Sequence, residues 1–194
     1  PIVPITDLTI KDNSLIVATQ GRSIWILDDL TVIHQLSSSI DEEKLYKPKD
    51  SYRMRGAGGR KSLTAGTNLP NGVIIHYFLP NYNDESDEVN LSIHSSDGEL
   101  IKEFSNKGKE NSIKVKKGGN SFVWDMKYPG AKRLDNMVLW GADFSGAKTV
   151  PGDYIVKLSV NDSELTQDFT IHKDPTSEGS IEDIKAQFEF VNEI

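Results

Sequence analysis

Two adjacent carboxylates, Asp28 and Asp29, come closest in this chain to a catalytic pattern, with Arg22 and Trp25 just before them. Sugar-cleaving sites use a pair of carboxylates, and an arginine and an aromatic ring would suit such a substrate. Adjacent strand residues point to opposite faces, however, so the two carboxylates need not converge. The pattern favours a structural role in turn capping, with an ion pair between Arg22 and an aspartate.

Metal-binding patterns are weak. The acidic run 84–88 (DESDE) offers oxygen ligands for calcium, but it lacks the glycine and terminal glutamate of an EF-hand, which favours a solvated hairpin tip. The histidines show no helical zinc-protease spacing. A chance metal pair of His76 and His94 requires that their strands be neighbours, and ordinary strand histidines are favoured. The four histidines are His34, His76, His94 and His172.

Nucleotide and hydrolase motifs fail on spacing. Residues 56–62 (GAGGRKS) resemble a phosphate-binding loop, but Arg60 stands where that loop needs glycine, which favours a flexible linker. No Gly-x-Ser-x-Gly elbow of a serine hydrolase occurs. The sequence therefore predicts no catalytic residue, no metal ligand and no cofactor, and it leaves ligand-binding residues undefined.

Two tryptophans allow different readings. Trp124 alternates with Phe122 and Met126 in a strand pattern, which favours a core position over a ligand platform. Trp140 lies among small residues in a predicted loop and is the better candidate for a surface aromatic that contacts carbohydrate.

Composition excludes several classes. The 194 residues carry 29 acidic and 22 basic side chains, a net charge of −7, which disfavours nucleic-acid binding. There are no cysteines, so disulfides and thiolate chemistry are excluded. No apolar run approaches the roughly 20 residues that span a bilayer. The chain starts at Pro1 without a signal peptide, so we expect a piece of a longer protein whose secretion signal would not be visible.

Period-two patterns predict an all-β protein. Residues 5–10, 15–19 and 24–27 predict a short meander, and residues 31–36 one more strand. Residues 122–128 predict the central strand of a β-sandwich with Trp124 at its core. The other predicted sandwich strands are 72–79, 89–94, 100–104, 113–115, 154–160 and 165–171.

These elements predict four regions: terminal β-meander strands at 1–36, a linker at 37–66, an Ig-like β-sandwich at 67–173, and the start of a C-terminal helical segment at 174–194. Ser180 caps the predicted helix, which places Ile181, Ile184, Phe188 and Val191 on one face.

Five stretches, in this order, resemble one family. Residues 19–29 (TQGRSIWILDD) resemble the last propeller blade of bacterial sortilin-like, BNR-repeat "glycosyl hydrolase" proteins. The other four are similar to the sandwich that follows such a propeller and to its exit into a helix: 68–72 (NLPNG), 122–125 (FVWD), 151–154 (PGDY) and 173–175 (KDP).

The resemblance implies one or two β-propellers followed by an Ig-like sandwich of the fibronectin or flagellar-hook type, in a secreted or periplasmic protein. The family's hydrolase label rests on the propeller fold, and a fold does not define a reaction. The Asp-box repeat that names the propeller class is absent here, and any propeller active site would lie mostly upstream. Whether the longer protein that contains this chain is an enzyme stays open.

Three functions remain. The favoured one is a non-catalytic accessory module that packs between an upstream propeller and a downstream helical segment, and contacts carbohydrate or protein partners. The second is a fragment of a glycoside hydrolase or other hydrolase to which Arg22 and Asp28 contribute. The third is a carbohydrate-binding module that uses Trp140. Residues 1–30 are expected to pair with the sandwich, exchange strands in a homodimer, or lack order.

Overall fold

The computed structural model describes residues 2–36, 41–55, 68–131, 141 and 143–193. The described strands form a mainly β structure of three sheets, and a short helix follows them near the C-terminus. The chain divides into a smaller unit, residues 1–40 with 67–69, and a larger unit, residues 41–66 with 70–194.

The smaller unit contains one antiparallel sheet, here called the N-terminal sheet, with strand order β1-β2-β3. Asp12 and Asn13 join the first two strands and both have positive φ, as a type I′ hairpin turn requires. The strands are β1 (Ile5–Lys11), β2 (Ser14–Thr19) and β3 (Ile24–Leu27), as the alternating pattern predicts.

The prediction of a strand at 31–36 is wrong, because Thr31–His34 forms the short helix α1. The Asp29 carboxylate accepts the Thr31 N–H at 2.9 Å and turns the chain out of the extended conformation. An aspartate that bonds the backbone two residues ahead favours turns, so the local chemistry outweighs the apolar alternation of this stretch.

The larger unit holds the other two sheets, with strand orders β5-β11-β10-β7-β8 and β4-β6-β9. Neighbouring strands are antiparallel, except that β5 runs parallel to β11. The strands are β4 (Lys44–Leu45), β5 (Ser51–Arg53), β6 (Val73–Leu79), β7 (Val89–Ser95), β8 (Leu100–Ser105), β9 (Gly118–Trp124), β10 (Gly152–Val160) and β11 (Ser163–Lys173).

Buried residues of both sheets form one hydrophobic cluster. Along β6 and β10 every second residue is buried, which is the alternation that the sequence predicts. Trp124 is fully buried in this cluster, and its ring meets the edges of Tyr154 and Phe169 with centroids 6.0 and 6.3 Å away. The prediction that Trp124 is a core residue is confirmed.

Three details of the predicted strands differ. The central strand runs from Gly118 to Trp124 and stops before Met126, whose φ of 62° breaks the extended chain. The strand also begins earlier than predicted, so Asn120 is a buried strand residue, whose side-chain oxygen accepts the Lys116 N–H and whose amide donates to the Lys116 carbonyl. The strand predicted at 113–115 is wrong, since only an isolated bridge at Ser112 forms there.

The prediction of a linker at 37–66 is wrong for residues 44–45 and 51–53, which form β4 and β5. Leu45 and Tyr46 are buried, so this stretch supplies core residues despite its polar composition. Short strands of two and three residues carry too little period-two pattern to be recognised.

Helix α2 (Ile181–Glu193) follows β11 and begins where Ser180 predicts. Ser180 Oγ accepts the Asp183 N–H at 3.0 Å, and the Asp183 carboxylate accepts the Ser180 N–H at 2.9 Å. Ile184 is buried, and the Phe188 ring meets Tyr128 with centroids 4.9 Å apart, but Ile181 and Val191 are exposed. In the described part of the chain, no helix is both long enough and apolar enough to cross a membrane.

Candidate functional site

The N-terminal sheet leaves large apolar side chains in solvent. Its third strand is apolar at four consecutive positions, and Ile24 and Trp25 are 66% and 52% exposed. Because consecutive strand residues alternate between faces, both faces of β3 are apolar. The exposed apolar residues of the three strands are Ile5, Leu8, Ile10, Ile24, Trp25, Ile26 and Leu27.

The three described strands of the smaller unit form the N-terminal sheet. The expectation that residues 1–30 lack order is therefore wrong for the described residues. Strand pairing with the sandwich stays a prediction. Strand exchange with a second copy stays a prediction.

Asp29 takes a structural role at the end of β3 through its carboxylate, whereas Asp28 contributes its backbone carbonyl. Asp29 accepts the Asn13 side-chain amide at 3.1 Å as well as the Thr31 N–H, so its carboxylate joins two turns. The Asp28 carbonyl accepts the Ser14 hydroxyl at 2.9 Å. Turn capping by an aspartate of this pair is thus confirmed.

Arg22 is exposed, and its carbonyl accepts the Trp25 indole N–H at 2.9 Å. Among the described residues no ion pair joins Arg22 to Asp28 or Asp29, so that part of the prediction is wrong. The turn fixes Trp25 through the backbone of Arg22 and does not require its guanidinium. This geometry lends no support to a hydrolytic role for Arg22 and Asp28.

The acidic loop at 84–88 is held by its own side chains. The Asp87 carboxylate accepts the Asn83 N–H at 2.8 Å and the Asn161 side-chain amide at 3.2 Å, which ties the loop to the β10–β11 turn. These bonds, the one from Asn83 foremost, lower the pKa of Asp87. Within the described ranges no group of three acidic or histidine side chains is arranged to hold a metal ion.

The described histidines do not converge. His76 lies in β6 and His94 in β7, and these strands belong to different sheets. A metal pair of these histidines requires that their strands be neighbours, and this prediction is wrong. His94 contacts the Ser92 hydroxyl at 2.9 Å, and His172 lies 3.4 Å from the Asp50 carboxylate. Trp140 and the glycine-rich stretch 56–62 lie outside the described residues.

A polar cavity of about 640 Å³ lies within the larger unit, between the end of β5, the turn at 174–180 and the start of α2. Arg53 and Arg55 line the cavity together with Asp174, Glu178 and Asp183. Arg53 Nε donates to the Thr149 carbonyl at 2.8 Å, and burial lowers the pKa of Arg53.

A buried polar group anchors this arginine. Thr149 is fully buried, and its hydroxyl donates to the Tyr154 hydroxyl at 2.6 Å. Tyr154 in turn donates to the Val150 carbonyl at 2.7 Å. The hydrogen bonds from Arg53 to Val150 therefore join β5, the loop before β10 and β10 itself, and they hold Arg53 at the cavity.

Sequence reasoning missed this cavity because it placed Arg53 and Arg55 in a linker. One signal was available: Arg53 and Arg55 alternate with Tyr52 and Met54, as residues of a strand do. The partners of that strand lie more than a hundred residues further along the chain, and no local pattern indicates them.

The described residues form a mainly β fold with an exposed apolar N-terminal sheet and a polar cavity beside α2. Neither a known protein family, nor a curated protein sequence, nor a solved structure matches the chain significantly. The resemblance to sortilin-like propeller proteins therefore stays a prediction.

Proposed function

We propose that the chain is a non-catalytic accessory module of a secreted, sortilin-like propeller protein. The N-terminal sheet contributes strands to the last blade of an upstream β-propeller, and the larger unit is the Ig-like sandwich that follows it. The module connects the propeller to a downstream helical segment. The observation that carries this proposal is the apolar character of the N-terminal sheet on both of its faces.

Strands that are covered on both faces have near-continuous apolar runs, whereas strands covered on one face alternate. The strand β3 has four apolar residues in a row, all about half exposed or more. A propeller blade lies between two neighbouring blades, so the β-sheet of one neighbour covers each of its two faces. Full burial of an isoleucine or leucine stabilises by about 1.5–3 kcal/mol, so covering this sheet would contribute several kcal/mol.

The free edges support the same interpretation. The N-terminal sheet has three strands, and a propeller blade has four. Both β1 and β3 are edge strands, and an edge with unpaired backbone groups accepts a further strand. A strand from elsewhere in the same protein would complete the blade, and in the isolated chain a second copy could supply it by strand exchange.

Strand order supports the Ig-like assignment of the larger unit. Its two sheets, of three and five strands, share one core, with a mixture of hairpins and crossovers between them. Tyr154 lies near the start of β10 and donates its hydroxyl proton to the backbone four residues upstream. A tyrosine in this position and with this bond is a hallmark of Ig-like sandwiches, where it is called the tyrosine corner.

The proposal is tested by hydrolysis assays of the 194-residue chain against a panel of glycans and peptides. We expect no turnover above that of an Arg22→Ala/Asp28→Asn double variant, because the Asp29 carboxylate caps turns and no ion pair joins Arg22 to Asp28. Turnover by the wild-type chain that the double variant loses would contradict the proposal and establish the hydrolase reading.

A further inference from the structure

The cavity beside α2 combines cations and carboxylates in a way that the proposed accessory function does not use. In the described part of the chain, neither Arg53 nor Arg55 forms an ion pair with a carboxylate. Arg53 uses Nε to bond Thr149, which leaves its terminal nitrogens as donors. The forked guanidinium group of an arginine is the usual means by which proteins bind a carboxylate in two-pronged geometry.

Two carboxylates of the same lining, those of Asp174 and Asp183, are held in place by hydrogen bonds and act as acceptors. Asp174 accepts the N–H and hydroxyl of Thr176 at 2.8 and 2.6 Å, and these bonds lower the pKa of Asp174. Asp183 accepts the N–H and hydroxyl of Ser180 at 2.9 and 2.8 Å, which likewise lowers the pKa of Asp183. Both groups therefore stay ionised near neutral pH and present acceptor oxygens.

The charge balance of the lining selects among ligands. The lining contains two arginines and three carboxylates, those of Asp174, Glu178 and Asp183, so it carries a net negative charge. A multiply charged anion such as phosphate would meet more repulsion than attraction here. A ligand with one carboxylate and several hydroxyl groups fits this lining, because its carboxylate accepts from the guanidinium groups and its hydroxyls donate to the carboxylates.

We propose that this cavity binds a small hydroxylated carboxylate of the uronic-acid class. The volume of about 640 Å³ lies within the range of pockets that enclose small ligands. Gln187 also lines the cavity and adds a neutral amide that donates to and accepts from hydroxyls. The inference uses only the larger unit and does not depend on the proposed role of the N-terminal sheet.

The test is calorimetric titration of the 194-residue chain with glucuronate, with glucose and inorganic phosphate as matched probes. We expect glucuronate to bind more tightly than phosphate, and glucose to bind at least 10-fold more weakly than glucuronate because it lacks the carboxylate. Arg55→Ala should weaken glucuronate binding by about 10- to 100-fold, the range for loss of a charge-assisted hydrogen bond. Arg22→Ala, which removes an exposed arginine of the smaller unit, should leave the affinity unchanged.

Amide chemical shifts localise the effect, since glucuronate should perturb residues 174–187 in the wild-type chain and not in Arg55→Ala. Arg55 forms no hydrogen bond with another described residue, so its removal should not unfold the chain, and circular dichroism checks this. The proposal is overturned if glucuronate fails to bind at millimolar concentration, if a folded Arg55→Ala chain binds it as tightly as wild type, or if phosphate binds more tightly.

Discussion

Replacement of Trp124 by alanine is expected to lower the free energy of unfolding of the larger unit by about 3–5 kcal/mol. Trp124 is fully buried, and its indole N–H donates to the Lys127 carbonyl at 3.2 Å. Removal of the ring leaves a cavity against Tyr154 and Phe169 and leaves that carbonyl without its partner. Because a small domain is stable by only about 5–15 kcal/mol, this loss is a large part of the stability of the unit.

Urea denaturation followed by far-ultraviolet circular dichroism measures this effect. The control is Val123→Ala in the same strand, because the Val123 side chain points to the other face and is 36% exposed. We expect the control to lose less than about 1 kcal/mol, as partly exposed positions usually do. Equal losses for the two variants would show that Trp124 is not the centre of the core.

The second large effect is expected for Gly72→Ala, because the backbone of β9 closes the space beside this glycine. A Cβ atom at Gly72 would lie 2.3 Å from the Trp124 carbonyl oxygen and 2.8 Å from a Val123 methyl group. The oxygen belongs to the backbone of the paired strand, where Val73 faces Trp124, so it cannot move without disturbing that pairing. We expect a loss of about 1–3 kcal/mol or more, the range for overpacking.

Gly119 in the same pair of strands provides the matched control. It faces Phe78, and a Cβ atom there would meet no atom within 4 Å. Gly119→Ala should therefore be neutral or slightly stabilising, since it removes backbone freedom from the unfolded chain. The measurement compares the urea concentrations at which the two variants are half unfolded. A Gly72→Ala chain as stable as the Gly119→Ala chain would refute the close approach of β6 and β9.

Much of this fold can be predicted because it follows from local chemistry. Alternation along β6 and β10 places one face in the core, and Asp12 and Asn13 specify a tight turn by their tolerance of positive φ. The start of α2 follows from the reciprocal bonds of Ser180 and Asp183. Each of these signals lies within a few residues of the element that it defines.

The failures come from non-local pairing. The strands β4 and β5 are too short to show a period-two pattern. They form because β4 pairs with β6 and β5 pairs with β11. The separation of His76 from His94 depends on which sheet each strand joins, which alternation alone does not encode. The cavity needs Arg53 and Asp174 to meet across the end of β11, and only the tertiary fold brings them together.

The central claim is that the N-terminal sheet is a docking surface for β-layers on both faces. The most direct test compares the wild-type chain with a Trp25→Thr/Ile26→Thr variant, which makes one position on each face of β3 polar while threonine preserves the strand. Leu100→Thr, at an exposed apolar residue of the larger unit, is the control. Sedimentation velocity and fluorescence of the hydrophobic dye ANS are the readouts.

We predict that the wild-type chain and the Leu100→Thr chain self-associate or bind the dye, because an exposed apolar patch binds other apolar surfaces or molecules. The double variant should be monomeric and lose most of the dye fluorescence, while the larger unit unfolds at the same urea concentration. A wild-type chain that stays monomeric and binds no more dye than the double variant would contradict the account.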